Sequence, residues 1–207
     1  MIKKSIYPKT KRLSCTPKPI VVTEKMDGSN LCFFKKDNTL HIAQRNTIFT
    51  YDEVEQNQKS LYKGLYNWLK ENYEALNSIR ENAVVCGEWM GMGKLSYPQT
   101  EFDKRFYMFA KANIDEDMKL HNMYYDHELF IFPFENNTIP DCIGVVPVVT
   151  NLFHAPSKEE LDQLYEDYTA KKLDRKVEGF VVNQNNSILK YVRMKNGKLS
   201  DHFDRGN

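Results

Sequence analysis

The stretch Glu24-Lys25-Met26-Asp27-Gly28-Ser29-Asn30 is entered from the apolar run Pro19-Ile20-Val21-Val22 and left through Leu31-Cys32-Phe33-Phe34. A lysine at the end of a β-rich run, followed by Asp-Gly and a second apolar strand, is held on a sheet and faces a turn. Lysine has a reference pKa of about 10.4, so near neutral pH it attacks an electrophile only where burial or neighbouring cations favour the amine. Alone, the stretch reads first as a hairpin with an Asp-Gly turn and a solvated lysine. The whole pattern Lys-x-Asp-Gly-x-Asn is rarer, arising by chance in roughly one chain of this length per thousand.

The 207 residues are 41% hydrophobic and 13% aromatic, enough for one substantial core and against a disordered chain. Twenty-nine Lys and Arg against 28 Asp and Glu give a formal net charge of +1, so a nucleic-acid site has to be a local patch. Cys15, Cys32, Cys86 and Cys142 lack CxxC or Cys/His spacing, which suggests reduced thiols and no zinc site. The amino terminus has no apolar core of a signal peptide, and no apolar run reaches membrane-spanning length. A soluble cytoplasmic protein is the expectation.

Along the chain, residues 1–18 carry Lys3, Lys4, Lys9, Lys11, Arg12 and Lys18 with three prolines and no period, an extended basic arm able to touch a phosphate backbone. Strands are expected at 19–25, 31–36 and Leu40–Arg45, with a turn at Asp37-Asn38, as an antiparallel meander. Leu61, Leu65, Trp68, Leu69 and Leu76 keep one helical face, which predicts a helix over 58–77 covering the meander, weakened by Gly64. Ala83–Trp89 reads as a buried strand, Met90–Lys94 as a loop, and Arg105–Lys111 and Phe130–Pro133 as further strands. Val145–Val149 is an apolar segment with Pro147 pushing it towards an edge. Ser157-Lys158-Glu159-Glu160 has the capping-box form and opens a helix with Leu161, Leu164, Tyr165 and Tyr168 on one face. Two strands, Val177–Val182 and Ile188–Met194, close the pattern through the turn Asn183–Asn186. The fold class is α+β, mostly antiparallel sheets with flanking helices.

The Lys-x-Asp-Gly-x-Asn motif resembles that of the covalent nucleotidyltransferase superfamily, and Asn30 resembles its ATP-dependent RNA ligase branch, of the RNA-repair and RNA-editing type. The resemblance is collinear over nearly the whole chain. It implies a nucleotidyltransferase architecture, the ATP-grasp-like adenylation domain of ligases, in which Lys25 forms a lysyl-AMP intermediate. Glu24, Asp27, Gly28 and Asn30 then belong to the nucleotide-binding segment. Arg45, in Gln44-Arg45-Asn46, is similar to the family's phosphate-contacting arginine. Cys86-Gly87-Glu88-Trp89-Met90-Gly91 resembles the segment whose glutamate holds the ribose hydroxyls; a carboxylate suits two hydroxyl donors because it only accepts. Phe109 matches the aromatic that stacks on adenine, although Ala110 stands where the family usually has Asp. Glu178, in Val177-Glu178-Gly179-Phe180, resembles the glutamate that holds the catalytic metal directly or through water.

The family's last motif, two cations on one strand face, is offered in two registers. Lys190 has the family's neighbours, whereas Arg193 and Lys195 have the spacing. Cations there would neutralise charge on the α-phosphate and favour the free amine of Lys25. The implied activity is ATP- and Mg²⁺-dependent (or Mn²⁺-dependent) sealing of an RNA 5′-phosphate to a 3′-hydroxyl. The alternatives are a DNA ligase or capping-type guanylyltransferase, disfavoured by Asn30, and a non-catalytic module that binds nucleic-acid ends. After Lys195 only residues 196–207 follow, so the expectation is one nucleotidyltransferase domain over 1–207, without a C-terminal OB or helical domain. A partner protein or second copy would then supply RNA-binding surface.

Overall fold

The computed structural model describes residues 19–172, 175–184, 187–195 and 198–199. In chain order the strands are β1 (Ile20–Glu24), β2 (Ser29–Lys36), β3 (Thr39–Gln44) and β4 (Ile48–Thr50). Helices α1 (Leu65–Glu71) and α2 (Tyr73–Asn77) precede β5 (Ala83–Trp89), β6 (Phe106–Ile114), β7 (Leu120–Tyr124), β8 (Ile143–Val145) and β9 (Val148–Leu152). Then come α3 (Lys158–Thr169), β10 (Gly179–Gln184), β11 (Ser187–Val192), β12 (Met194–Lys195) and β13 (Lys198–Leu199). The α+β class holds, with mostly antiparallel sheets and few helices. The basic arm of residues 1–18 lies outside the described residues.

Seven strands form the larger sheet in the order β4-β3-β2-β5-β6-β7, with β8 parallel to β6. Alternation along β2 sends Leu31 and Phe33 to one face, where Ile42, Val85, Trp89 and Phe106 meet Leu65, Trp68 and Leu69 of α1. Phe34, Val84, Cys86, Ala110 and Ala112 make a second buried cluster. Asp37 and Asn38 both have positive φ, 50° and 56°, as the tight β2–β3 hairpin requires and as Asp and Asn tolerate. A smaller sheet, β11-β10-β1-β9, packs Val22, Phe180, Val182 and Tyr191 against Leu161 and Tyr165 of α3. That helix opens with the expected capping box: the Ser157 hydroxyl accepts from the Glu160 N–H, and the Glu160 carboxylate accepts from the Ser157 N–H.

The sheets correct the meander. β1 pairs with β9 and β10, not with β2, so Lys25–Gly28 is the passage from one sheet to the other and no hairpin turn. A second passage lies beside it. Val145 ends β8 in the larger sheet and Val148 begins β9 in the smaller, and the Pro147 carbonyl between them accepts from the Glu24 N–H at 2.9 Å. Proline suits that position because it has no N–H to leave unpaired where the chain changes sheet.

Three more expectations are revised. The helix over 58–77 is broken into a 3₁₀ turn at Gln58–Ser60, α1 and α2, because Gly64 sits at φ 80° as the α1 N-cap and Asn72 interrupts the helical backbone. Its apolar face still covers the sheet. Phe130–Pro133 is a turn after a 3₁₀ segment, whose run of apolar residues reflects burial of Phe130 and Phe134. β7, mostly exposed, had no apolar signal and was absent from the expected strands.

Candidate active site

Lys25 leaves the end of β1 with its N–H bonded to the Gly179 carbonyl at 2.9 Å, which fixes it against the first residue of β10. The residue before that strand is Glu178. Its carboxylate accepts from the Lys25 ammonium, Nζ to Oε2 at 2.7 Å, across 153 positions of sequence. Both side chains are largely buried. Burial pushes the Glu178 carboxyl up and Asp27 adds to this, while the Lys25 pair and the charge of Lys190 pull it back.

Asp27 is held by the loop that follows β5. Its Oδ2 accepts from the N–H groups of Lys94 and Leu95 at 2.7 and 2.8 Å, and its own N–H donates to the Tyr97 hydroxyl at 2.7 Å. Gly93 lies so close to the Asp27 carbonyl that a Cβ there would stand 1.8 Å from its oxygen. Gly28 is equally confined: a Cβ would meet the Trp89 carbonyl oxygen at 2.4 Å and Glu88 Cγ at 2.8 Å. The glycine therefore serves close approach between the start of β2 and the end of β5.

That approach carries Glu88 into the same group. Desolvation raises its carboxyl to about 7; Lys25 and the Gly28 N–H lower it, and Glu178 and Asp27 raise it. Asn30 faces Glu88 as its cross-strand partner. The Asn30 carbonyl accepts from the Tyr62 hydroxyl at 3.2 Å, and that hydroxyl accepts from the Arg45 N–H at 3.3 Å, so the end of β3 is tied to the site while Arg45 itself is exposed.

Phe109 occupies a β-bulge. Cys86 pairs with Ala110 and Gly87 with Met108, leaving Phe109 as the extra residue. A bulge re-aims a side chain, and Phe109 packs against both the Phe34–Cys86 cluster and the cluster containing Met26, the neighbour of Lys25. Ala110, the departure from the family pattern, is fully buried beside Phe34, Val84 and Cys86, where a carboxylate would be an unpaired buried charge.

Pairing also separates the last basic residues. Thr23 pairs with Val181 and Val181 with Lys190, so Lys190 shares the face of Thr23 and, two residues on, of Lys25. Arg193 follows Tyr191 on the opposite face, bonded to Asp162 at 3.1 Å, near Glu166 at 3.5 Å and 5.5 Å from the Tyr165 ring centroid, all on α3. The side chain of Lys195 lies outside the described residues.

Glu24 is also turned away from Lys25's face. Fully buried, it pairs with Arg175 through both oxygens, at 2.5 and 2.7 Å, and accepts from the Tyr168 hydroxyl at 2.7 Å. The structure thus gathers Lys25, Asp27, Gly28, Glu88 and Glu178, with Asn30, Phe109 and Lys190 at the margin, and sends Glu24 and Arg193 to the α3 side. Tyr97 and Arg175 escaped the sequence reading: a tyrosine in a loop and an arginine in the basic run Lys171, Lys172, Arg175, Lys176 carry no signal of burial.

Lys25 and Glu178 thus stand at facing strand ends where the two sheets meet. An RNA ligase from Naegleria gruberi, in the apo form of a mutant, has the same fold, with a TM-score of 0.54 at 17% identity over 85% of this chain and 49% of its own. The family model for RNA ligase matches residues 18–195, and the chain belongs to the RNA ligase family. Another structure of the Naegleria enzyme contains ATP and Mn, with a TM-score of 0.49 at 17% identity over 85% of this chain and 50% of its own. An archaeal ATP-dependent RNA ligase matches at a TM-score of 0.46 and 17% identity, over 90% of this chain and 48% of its own. The chain spans about half the length of these solved structures. No curated protein matches it. No helix among the described residues is long and apolar enough to cross a membrane.

Proposed function

We propose that this chain carries out the nucleotidyl transfers of an ATP-dependent RNA ligase. The Lys25 amine attacks the α-phosphorus of ATP; the N–P bond forms, the bond to the β-phosphate oxygen breaks, and pyrophosphate leaves. The AMP then passes from Lys25 to an RNA 5′-phosphate, and a 3′-hydroxyl displaces it to seal the strand. Glu88 accepts from the ribose hydroxyls, Phe109 stacks on the adenine, and Lys190 offsets charge on the α-phosphate. In the free protein Glu178 holds the lysine as its ammonium, so attack requires that this pair open and the proton leave.

No cluster of three metal-ligating side chains stands among the described residues. Glu178, its side chain 17% exposed and reaching the lysine, would be the carboxylate to hold Mg²⁺ or Mn²⁺ together with substrate phosphates. Such an ion would screen the triphosphate and orient the leaving group.

The observation that carries this reading is the 2.7 Å contact between Lys25 and Glu178, with the Asp27 and Glu88 carboxyls gathered around it. Incubation with ATP labelled at the α-phosphate and Mg²⁺ or Mn²⁺ should give a covalent adduct that Lys25→Ala abolishes. An adduct that survives the substitution on another lysine would overturn the assignment, and labelling by GTP alone would point to a capping enzyme.

A further inference from the structure

Arg175 is bonded to the segment that carries Lys25 and itself stands in the stretch that leads to Glu178. Its side chain and that of Glu24 are 1% and 0% exposed. The guanidinium grips both oxygens of Glu24, the residue before Lys25. It also bonds Glu101 through Nε at 3.3 Å, with Nη2 at 3.5 Å, and Lys172 joins the same carboxylate. Its Cζ lies 4.7 Å from the Phe102 ring centroid and 5.9 Å from that of Tyr97. Tyr97 in turn accepts from the Asp27 N–H. Lys25 is therefore fastened on both sides, through Glu24 and through Asp27, to one arginine. Three residues further along the chain is Glu178, at most about 11 Å of extended backbone away.

A buried ion pair is a poor device for stability alone, since well-packed apolar residues of the same volume serve as well or better. A planar fork held by two carboxylates and two rings is instead a device for fixed geometry. We propose that Arg175 is a positioning residue for nucleotidyl transfer: by clamping Glu24, Glu101 and the Tyr97–Phe102 loop, it sets Lys25 opposite Glu178. The inference rests on Lys25 being the nucleophile. Because Arg175 and Glu24 are sealed from solvent, they meet no substrate. Their loss acts on the alignment of the attacking nitrogen, where a displacement of about 1 Å costs up to about a hundredfold in rate, and leaves the affinity for ATP nearly unchanged.

The test uses two variants that leave no buried charge unpaired. Glu24→Gln with Arg175→Met replaces the ion pair by a neutral pair of similar volume, and Arg175→Lys keeps the charge but loses the fork. Both are measured by single-turnover labelling with ATP over a range of concentrations, with thermal melting beside it. Melting within a few degrees of the parent, a saturating rate at least tenfold lower and a half-saturating ATP concentration changed by less than about threefold are expected. A folded variant that labels at the parent's saturating rate, or that loses ATP affinity with the rate unchanged, overturns the role of Arg175 alone. A parent that takes no label overturns the proposed function and this inference with it.

Discussion

Replacing Glu88 by Gln should make the free protein more stable and less active, by amounts that depend on pH. Burial and the like charges of Glu178 and Asp27 lift the Glu88 carboxyl from 4.5 to about 7, despite Lys25 and the Gly28 N–H. The folded protein thus keeps this proton up to about pH 7, while the unfolded chain releases it near its ordinary value. Between those limits the folded state binds more protons, so its stability falls as pH rises through the window. Fully developed, the difference amounts to about 3 kcal/mol above pH 7. The neutral amide removes it. Near pH 5 the variant should melt close to the parent, and at pH 8 several degrees higher, since about 1 kcal/mol moves the midpoint of a protein this size by about 2–4 °C. Glu178, shifted in the same direction, leaves a residual slope in the variant.

The same substitution should impair nucleotide use, because an amide offers one acceptor oxygen and a donor where two ribose hydroxyls need acceptors. The assay is thermal melting of parent and variant from pH 5 to 8, paired with ATP labelling at each pH. Melting midpoints separated by the same amount at every pH would refute the raised carboxyl. Labelling at the parent's ATP dependence would refute the ribose role.

Lys190→Gln should slow adduct formation tenfold or more. Arg193→Gln should leave it within about threefold and cost at most about 1 kcal/mol, because its partners on α3 are partly exposed; equal losses in rate would refute the separation of the two faces. Gly28→Ala places a methyl against a backbone oxygen that cannot yield, so melting should report a loss of about 1–3 kcal/mol together with reduced labelling, and an unchanged melt would refute the close approach. With a formal net charge of only +1, the chain should bind labelled nicked RNA weakly and lose it steeply as salt rises. Binding by a demonstrated monomer that persists at high salt would show a more complete RNA surface.

Local pattern made the strands legible. Alternation along Leu31–Phe34 and the apolar run Ala83–Trp89 mark buried strands wherever they pair, and Ser157 with Glu160 marks a helix start through contacts three residues apart. The candidate chemistry was legible for the same reason, since Lys25, Asp27, Gly28, Glu88 and Glu178 interrupt or bound those apolar runs. Nothing local says which sheet a strand joins. β1 and β2 are four residues apart and look like neighbours, yet Asn183 and Thr150 are β1's partners while β2 pairs with β3 and β5.

The sequence by itself determined the kinds of group present and the strand ends that carry them, because side-chain type and two-residue alternation are properties of short stretches. Only the tertiary structure decided which of these groups meet. The register Thr23–Val181–Lys190 turns Lys190 towards the lysine's face and Arg193 away, and a partner 151 residues distant turns Glu24 into a buried ion pair. Burial of the carboxylates likewise arises only when the ends of β1, β2, β5 and β10 close on one another. A charge's energy depends on the solvent it loses and the charges it gains, and both are set by residues far along the chain.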